Sequence, residues 1–446
     1  MGARGVGMGL THPRRYAGSA VLIGVAMLAV ACSSSKSSSS TATTASASPT
    51  TAAAPSTAVP VVKSSRGYDG TTIKVAGITN LADFAGAEIG AEARFKRFND
   101  TNEIPGMKIQ FVEMADDKAD PATALSETRR LVTSDQVFAI VPDLSAVNAG
   151  QYLASQQVPY IGYAFDNTYC SSPDPSTSLW GFGFSGCLVP SSPPKEPDLY
   201  GVLFKYESQK TGKAHPSIAI FSNDNQSGKD VRFQASAAEG VGFNVTYAKG
   251  SVPIVTSDYT PYVQAWMTSD GGKAPDVISC QLATQCIPIW SAIKAAAFKG
   301  DYYQSLGPVG ALAKAFAGTV TFAGYNTVPS PGLTQLEADL QAFKPGTTPV
   351  GYSNVPAYFS ADMFIQALKK VGTDVTPAAV QKALSTISWG IPGLVGPTQY
   401  PASTVVATPL CEELIQDLPD GSGFSTIEPF TCSPTTYPID PKFTGS

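Results

Sequence analysis

The chain has 446 residues, a formal net charge of -5 and only 15% charged residues. This length allows two domains with cores of their own, and the charge balance offers no basic surface for nucleic acid. Histidine occurs only as His12 and His215. Because histidine is the commonest metal ligand and general base, its scarcity disfavours metalloenzymes and Ser-His-Asp hydrolases.

The N-terminal segment has the pattern of an export signal. Basic residues precede an apolar run from Ala20 to Ala31, which is short for a membrane span and typical of a signal-peptide core. The run ends in Leu28–Cys32, which resembles a bacterial lipobox, whose cysteine receives diacylglycerol and becomes the mature N-terminus. Ala29 stands where such motifs usually have leucine. The alternative is an ordinary signal peptide followed by an incidental cysteine.

The segment that follows predicts a tether. Ser33–Ser65 consists almost entirely of Ser, Thr, Ala and Pro, so it cannot bury enough apolar surface to offset its ordering entropy. We therefore expect a flexible tether that holds the folded part outside the cytoplasm, anchored through lipid on Cys32 to the outer face of a bacterial cytoplasmic membrane.

The remaining cysteines fit an exported domain. Beyond Cys32 the chain has an even set, which predicts disulfides in an oxidising compartment. Several connectivities are possible, but clustering along the chain favours the pairs Cys170–Cys187, Cys280–Cys286 and Cys411–Cys432. A metal site is disfavoured by the absence of CxxC spacing and neighbouring histidines.

A β-α-β unit lies between Val137 and Asp166. Its apolar runs predict strands at Val137–Val141 and Pro159–Ala164, and the segment Val147–Gln156 predicts a helix between them. Earlier in the chain, Thr72–Ile78 predicts a strand, and Pro121, which suits a first helical turn, predicts the helix Pro121–Thr133. Ligands bind at the carboxyl ends of parallel strands, so Asp143–Ala146 and Tyr163–Asp166 should share one edge of a cleft.

The same β-α rhythm occurs in two blocks and predicts an α/β protein with two doubly wound, Rossmann-like lobes joined by crossover segments. Between Cys170 and Pro197 the rhythm lapses, which indicates a passage between lobes. The last third has too few elements for a third core and is expected to complete both lobes. The predicted division is a signal peptide at 1–31, a lipidated tether at 32–70, lobe 1 at 71–190 and 326–400, and lobe 2 at 191–325 and 401–446.

Several segments in this order resemble the branched-chain amino-acid-binding (Leu/Ile/Val-type) class of periplasmic substrate-binding proteins of ABC importers. They are Thr72–Ile78, the acidic run Asp116–Pro121, the segment Ser222–Gly228 and the turn Gly307–Gly310. The resemblance implies a type I periplasmic binding fold, a monomer that closes on a small molecule, an ABC permease as partner, and no cofactor, metal or catalysis.

Carried over by position, the resemblance implies ligand loops in both lobes. In lobe 1 these contain Asp83, Phe84, Asp143, Leu144, Ser145, Ala146, Tyr163, Ala164, Phe165 and Asp166; in lobe 2 they contain Asn225, Gln226, Ser227, Gln281, Thr284, Pro308 and Val309.

Val309 departs from the family pattern. Amino-acid-binding members place an acidic residue for the α-ammonium in this turn, and an unpaired buried ammonium is costly. Either another carboxylate, such as Asp143, Asp166 or Asp224, takes its role, or the ligand is not an α-amino acid; we favour the second.

Each of these residues also has a purely structural interpretation. Asp83 and Ser145 are suited to capping the helices that follow them, and the strand-end aspartates can simply face water. Phe84, Tyr163 and Phe165 can be ordinary packing at the edge of a lobe.

Three functions fit the sequence to different degrees. An importer's receptor for a small polar organic ligand (amino-acid-like, amide or carboxylate) is favoured, and a ligand sensor with the same fold is the alternative. An exported hydrolase is disfavoured, because GxSxG is absent and His215 would be the only histidine of the mature chain.

Overall fold

The computed structural model describes residues 64–147, 149–174, 177–191, 193–224, 228–253, 255–308 and 312–446. The predicted signal peptide, Cys32 and most of the predicted tether lie outside these residues. So do Asn225, Gln226, Ser227 and Val309 of the predicted ligand loops.

Helices and strands alternate through most of the described chain. The helices are α1 (Ala87–Thr101), α2 (Pro121–Thr133), α3 (Gly150–Ser155), α4 (Gly201–Thr211), α5 (Val231–Val241), α6 (Thr260–Met267), α7 (Cys286–Ala295), α8 (Pro331–Phe343), α9 (Asn354–Val371) and α10 (Pro377–Leu384). The strands are β1 (Thr72–Thr79), β2 (Lys108–Asp116), β3 (Ala139–Asp143), β4 (Tyr160–Gly162), β5 (Gly181–Gly183), β6 (Lys195–Pro197), β7 (Ser217–Asn223), β8 (Asn244–Val252), β9 (Val277–Cys280), β10 (Asp301–Gln304), β11 (Val320–Ala323), β12 (Ser388–Ile391), β13 (Val395–Gln399), β14 (Cys411–Asp417), β15 (Phe424–Cys432) and β16 (Thr436–Pro438).

The first sheet has the strand order β2-β1-β3-β4-β5, and its neighbouring strands are parallel. Strand order reverses between β1 and β3, which is where ligands bind in doubly wound sheets. Helix α9 packs against α1, α10, β3 and β4, so a late segment of the chain completes this core. We call the sheet with α1–α3 and α8–α10 lobe 1.

The second sheet has the order β15-β14-β11-β10-β9-β7-β8. Strands β8, β7, β9, β10 and β11 run parallel, whereas β14 and β15 add antiparallel strands at one edge. We call this sheet with α4–α7 lobe 2. The chain passes between the lobes after β5, between β11 and α8, and between β13 and β14.

Local sequence explains where several helices begin. Asp120 accepts a hydrogen bond from the Thr123 N–H and Pro121 opens α2. Ser330-Pro331 and Thr376-Pro377 open α8 and α10 in the same way, with side-chain caps to the third residue beyond. A capping oxygen satisfies a free helix N–H, and proline suits the first turn because it has no N–H to lose.

The expected fold class is confirmed: two parallel-sheet α/β lobes are joined by three crossovers. The six cysteines pair as Cys170–Cys187, Cys280–Cys286 and Cys411–Cys432, which is the pairing that clustering favoured. The helix Pro121–Thr133 has its predicted bounds, whereas the predicted helix Val147–Gln156 is shortened to Gly150–Ser155.

Candidate ligand-binding cleft

A cleft of about 760 Å³ lies between the lobes. Its walls come from loops that follow β1, β3 and β4 in lobe 1 and β7, β9, β10 and β11 in lobe 2. These are carboxyl ends of parallel strands, the edge at which open α/β sheets bind ligands. The topology of both sheets therefore converges on this one cleft.

Aromatic side chains form the lobe 1 wall. The rings of Tyr163 and Phe165 are stacked with centroids 4.7 Å apart, and both line the cleft. Behind them Phe84 is buried and stacks on Tyr352 at 4.3 Å. This packing fixes the orientation of the half-buried rings of Tyr163 and Phe165, which present a flat apolar surface to a ligand.

Three tyrosine hydroxyls at the cleft have no hydrogen-bond partner in the part of the chain that the structure describes. Tyr163, Tyr325 and Tyr352 all line the cleft, and within the described residues none of their hydroxyls makes a hydrogen bond. Burial raises the pKa of Tyr163 to about 12 and raises the pKa values of the other two phenols as well. All three remain protonated and can donate to an acceptor on a ligand.

Polar side chains of lobe 2 form the facing wall, and hydrogen bonds hold them in place. Asn223 donates to Val252 O and to Gln285 Oε1, at 3.2 and 2.9 Å. Gln281 donates to Ser279 Oγ at 3.0 Å. Amides held in this way offer their remaining donors and acceptors in fixed directions, which favours specificity in a binding site.

Among the described residues, one side-chain hydrogen bond joins the two walls. Thr284 Oγ1 donates to Asp83 Oδ1 at 3.3 Å, and the other oxygen of Asp83 accepts from Asn80 Nδ2 at 2.7 Å. The contact spans the loops after β1 and β9, so the lobes of this conformation already touch at the cleft.

The charged residues in the described part of the cleft lining are acidic. It contains Asp83 and Asp230 but no lysine or arginine. Burial raises the pKa of Asp230, against which Arg232 acts in the opposite direction. A ligand carboxylate would therefore have to rely on hydroxyl, side-chain amide and backbone N–H donors in this part of the site.

The structure separates the predicted ligand residues into two groups. Asp83, Ala146, Tyr163, Phe165, Gln281, Thr284 and Pro308 line the cleft. Phe84, Asp143, Leu144, Ser145 and Ala164 are buried behind it, and Asp166 accepts hydrogen bonds from the backbone and side chain of Thr168. The second group shapes the loops rather than facing the cavity.

Asp143 and Ser145 show why strand-end position does not determine side-chain direction. The Ser145 N–H donates to Asp143 Oδ1 at 3.2 Å, and the Val147 N–H donates to Ser145 Oγ at 3.1 Å. Both polar side chains turn inward to satisfy the backbone of the loop. As a result the loop presents Ala146 and Val147 to the cleft.

Several lining residues were not expected from the sequence. Tyr325 lies just beyond β11 and Tyr352 just before α9, while Ser222, Asn223 and Ser305 lie at the ends of lobe 2 strands. The strand-end rule could have identified Tyr325, since it follows an apolar strand. Tyr352 has no such signal, because only the return of the chain to lobe 1 brings it to the cleft.

The described residues contain no cluster of three or more metal-ligating side chains. None of the described helices combines the length and the apolar character that crossing a membrane requires.

Residues 70–408 match the family model described as Periplasmic binding protein. The chain belongs to this family. The expected family is confirmed, and the protein is a solute-binding protein of the extracytoplasmic space, a class of receptors rather than enzymes. No curated protein sequence matches the chain in a direct comparison.

Solved structures share the fold of this periplasmic binding protein at low sequence identity. A fatty acid ABC transporter substrate-binding protein from Thermomonospora curvata has a TM-score of 0.64 and 18% identity, over 84% of this chain and 95% of that one. A solute-binding protein from R. palustris in complex with 4-hydroxybenzoate has a TM-score of 0.58 and 19% identity, over 83% of this chain and 98% of that one. A branched-chain amino acid ABC transporter protein from Thermus thermophilus with bound valine has a TM-score of 0.61 and 15% identity, over 81% of this chain and 97% of that one.

Proposed function

We propose that this periplasmic binding protein captures a small organic ligand between its lobes and delivers it to an ABC importer. The observation that carries the proposal is the cleft of about 760 Å³, on which the strand ends of both sheets converge together with three tyrosine hydroxyls that have no hydrogen-bond partner among the described residues. Its volume falls in the range of ordinary small-molecule sites. The solved relatives named above are transporter components, which supports the coupling to import.

The lining points to a ligand with an apolar, planar body and hydrogen-bond acceptors. Stacked rings of Tyr163 and Phe165 suit such a body, and phenol hydroxyls suit acceptors such as carbonyl or carboxylate oxygens. A free α-ammonium is disfavoured, since Val309 occupies the turn that is acidic in amino-acid-binding members. The two carboxylates of the described lining have partners already: Asp83 accepts from Thr284 and Asn80, and Asp230 lies 3.9 Å from Arg232.

The proposal includes a lipid anchor on Cys32 and the tether that follows it. Its support is the signal-peptide core that ends in the lipobox-like Leu28–Cys32. We expect the wild-type protein to fractionate with membranes and a Cys32→Ala variant to be released from them.

Ligand binding is tested by thermal unfolding of the purified protein with a panel of probes. The panel comprises valine, isoleucine, acetamide, short carboxylates, 4-hydroxybenzoate, fatty acids and glucose. A ligand at roughly a hundred times its dissociation constant should add close to 3 kcal/mol, which is visible as a shift of several degrees. We expect probes without an ammonium group to give the shift; if none of the probes stabilises the protein, the proposal is wrong.

Paired tyrosine variants localise the binding. Tyr163→Phe removes one cleft hydroxyl and should lower the affinity for the best ligand roughly fivefold to tenfold. Tyr247→Phe is the matched control, because that hydroxyl bonds to Ser251 within lobe 2 and does not line the cleft. Equal affinities in the two variants would contradict the assignment of the cleft. Uptake of the labelled ligand by cells with and without the protein then distinguishes import from sensing.

A further inference from the structure

A second cavity of about 150 Å³ adjoins the cleft. We call it the hinge chamber and define it by the six apolar side chains Phe184, Leu188, Val355, Phe359, Val395 and Leu410. Buried apolar cavities of this size accept a benzene ring. The hinge chamber is therefore large enough for one ring of a ligand.

The hinge chamber lies where the chain passes between the lobes. Its walls include Leu188 from the segment after β5, Tyr325 from the segment after β11, and Leu410 from the segment that enters β14. A group bound in the chamber would contact all three crossovers at once, so its occupancy is directly connected to the relative position of the lobes.

The cleft and the hinge chamber share part of their lining, and the shared part includes two glycines. Tyr163, Phe322, Gly324, Tyr325 and Gly351 line both cavities. A Cβ atom built on Gly324 meets nothing within 4 Å, and its φ lies outside the left-handed region. Open space at Gly324 and the shared lining residues allow one molecule to reach both cavities.

Glu412 is the charged residue of the chamber lining. Glu412 contributes to the lining, is only 6% exposed, and its carboxyl makes no hydrogen bond within the described residues. The adjacent Glu413 shows the usual arrangement, with its carboxylate accepting from the backbone and hydroxyl of Thr327 and from Thr426. Because burial disfavours the charged form of a carboxyl that has no partner, a hydrogen-bonding group on a ligand would stabilise Glu412.

Burial raises the pKa of Glu412 well above its ordinary value, and the nearby charge of Asp198 acts in the same direction. The shift favours the protonated form of the carboxyl. A neutral carboxyl can donate one hydrogen bond and accept another, which matches a hydroxyl group in both roles.

We propose that the hinge chamber is a specificity subsite that binds an aromatic ring bearing a hydroxyl group, with the hydroxyl on Glu412 and the remainder of the ligand in the cleft. The subsite rests on the proposed function, since it assigns a ligand class to the same receptor. Aromatic neighbours favour a ring over a flexible chain, because Tyr163, Phe184 and Phe359 already pack edge to face and a further ring extends that arrangement.

The test is calorimetric titration of the full protein with phenol and with toluene, which resemble each other in shape and differ in the hydroxyl group. Wild-type protein should bind phenol more tightly than toluene. Glu412→Leu should lower the affinity for phenol about tenfold and leave the affinity for toluene unchanged. Glu412→Gln should retain most of the affinity for phenol, because an amide still pairs with a hydroxyl. Val395→Phe fills the chamber and should abolish binding of both probes.

Gly324→Leu and Gly324→Ala form a second pair in case Val395→Phe does not fold. Leucine should fill the space that joins the two cavities and lower the affinity for phenol at least tenfold, whereas alanine should leave that affinity within about twofold of the wild-type value. The subsite is wrong if phenol does not bind the folded wild-type protein, or if it binds equally well to Glu412→Leu and to the filled variants.

The same variants separate this inference from the proposed function. If a panel ligand binds the wild-type protein and all chamber variants equally, the cleft receptor stands and the subsite is overturned. If phenol binds in the chamber as described but no panel ligand stabilises the protein, the subsite is supported as a ring-binding pocket and the capture of panel ligands in the cleft fails.

Discussion

At the scale of single residues, Asp143 is a buried acid whose proton should be visible in the stability of the protein. Its side chain is 1% exposed, Oδ1 accepts from the Ser145 N–H, and Oδ2 has no partner among the described residues. Burial, assisted by the charges of Asp166 and Asp117, raises the pKa of Asp143 to about 8. The folded state therefore keeps a proton near pH 7 that the unfolded state releases near pH 4.

We predict that Asp143→Asn flattens the dependence of stability on pH. Because the unfolded state binds fewer protons above pH 4, the free energy of unfolding should fall as pH rises from about 4 to 8, by up to about 1.4 kcal/mol per pH unit from this group. Asparagine keeps the acceptor for Ser145 and removes the titration. Urea unfolding at pH 5, 6, 7 and 8 measures both slopes.

Part of the wild-type slope should survive in Asp143→Asn. Burial also raises the pKa of Glu196 to about 8, so this second group contributes with the same sign. Glu196→Gln is thus a parallel variant, and the double variant should be flatter than either single one. Identical slopes for wild type and Asp143→Asn would show that Asp143 is ionised in the folded protein.

At the scale of elements, the contact between α1 and α9 depends on a glycine. A Cβ atom on Gly90 would lie 1.8 Å from the carbonyl oxygen of Asn354, which is backbone and cannot rotate away. The close approach lets Ala87, Ala91 and Phe95 of α1 join the same core cluster as α9. Gly90 is therefore required for packing rather than for an unusual backbone angle.

We predict that Gly90→Ala destabilises the protein by about 2 kcal/mol, because overpacking outweighs the gain of up to about 1 kcal/mol in helix propensity. Thermal unfolding should show a midpoint lowered by several degrees. Gly324→Ala is the control, since its new Cβ meets nothing within 4 Å. A midpoint that rises in Gly90→Ala would mean that the helices separate without cost.

The sequence predicted elements where local chemistry determines them. Asp120-Pro121 defines the start of α2, and the apolar run from Thr72 defines β1. By contrast β5 is Gly181–Gly183, too short for any periodicity, and it lies in a segment interpreted as an irregular crossover. Its backbone becomes a strand because it pairs with Tyr160–Gly162, a partner that periodicity cannot reveal.

The same limit applies to the candidate site. Strand ends indicated the loops, but not which side chains face the cavity. Asp143 and Ser145 turned inward because their oxygens accept from neighbouring backbone N–H groups. Tyr352 reaches the cleft from a loop before α9, far along the chain from Phe84 on which it stacks. Long-range packing of this kind leaves no pattern in a single sequence.

At the scale of the whole molecule, three crossovers and one cross-cleft hydrogen bond connect the lobes to ligand binding. Crossover segments allow hinge motion, while Thr284 and Asp83 meet only when the loops after β1 and β9 approach. The bond therefore depends on these two loops lying close together. On the proposed function it should lengthen the residence time of a ligand without limiting its entry.

We predict that Thr284→Val raises the dissociation rate of the best panel ligand roughly twofold to tenfold and changes the association rate little. Valine keeps the shape of threonine and removes one hydrogen bond, whose net contribution is about 0.5–1.5 kcal/mol. Stopped-flow measurement of both rates provides the test. Thr268→Val is the matched control, because that hydroxyl donates to Gln264 O within one lobe. If the two variants release ligand at the same rate as the wild type, the contact between Thr284 and Asp83 does not hold the lobes together.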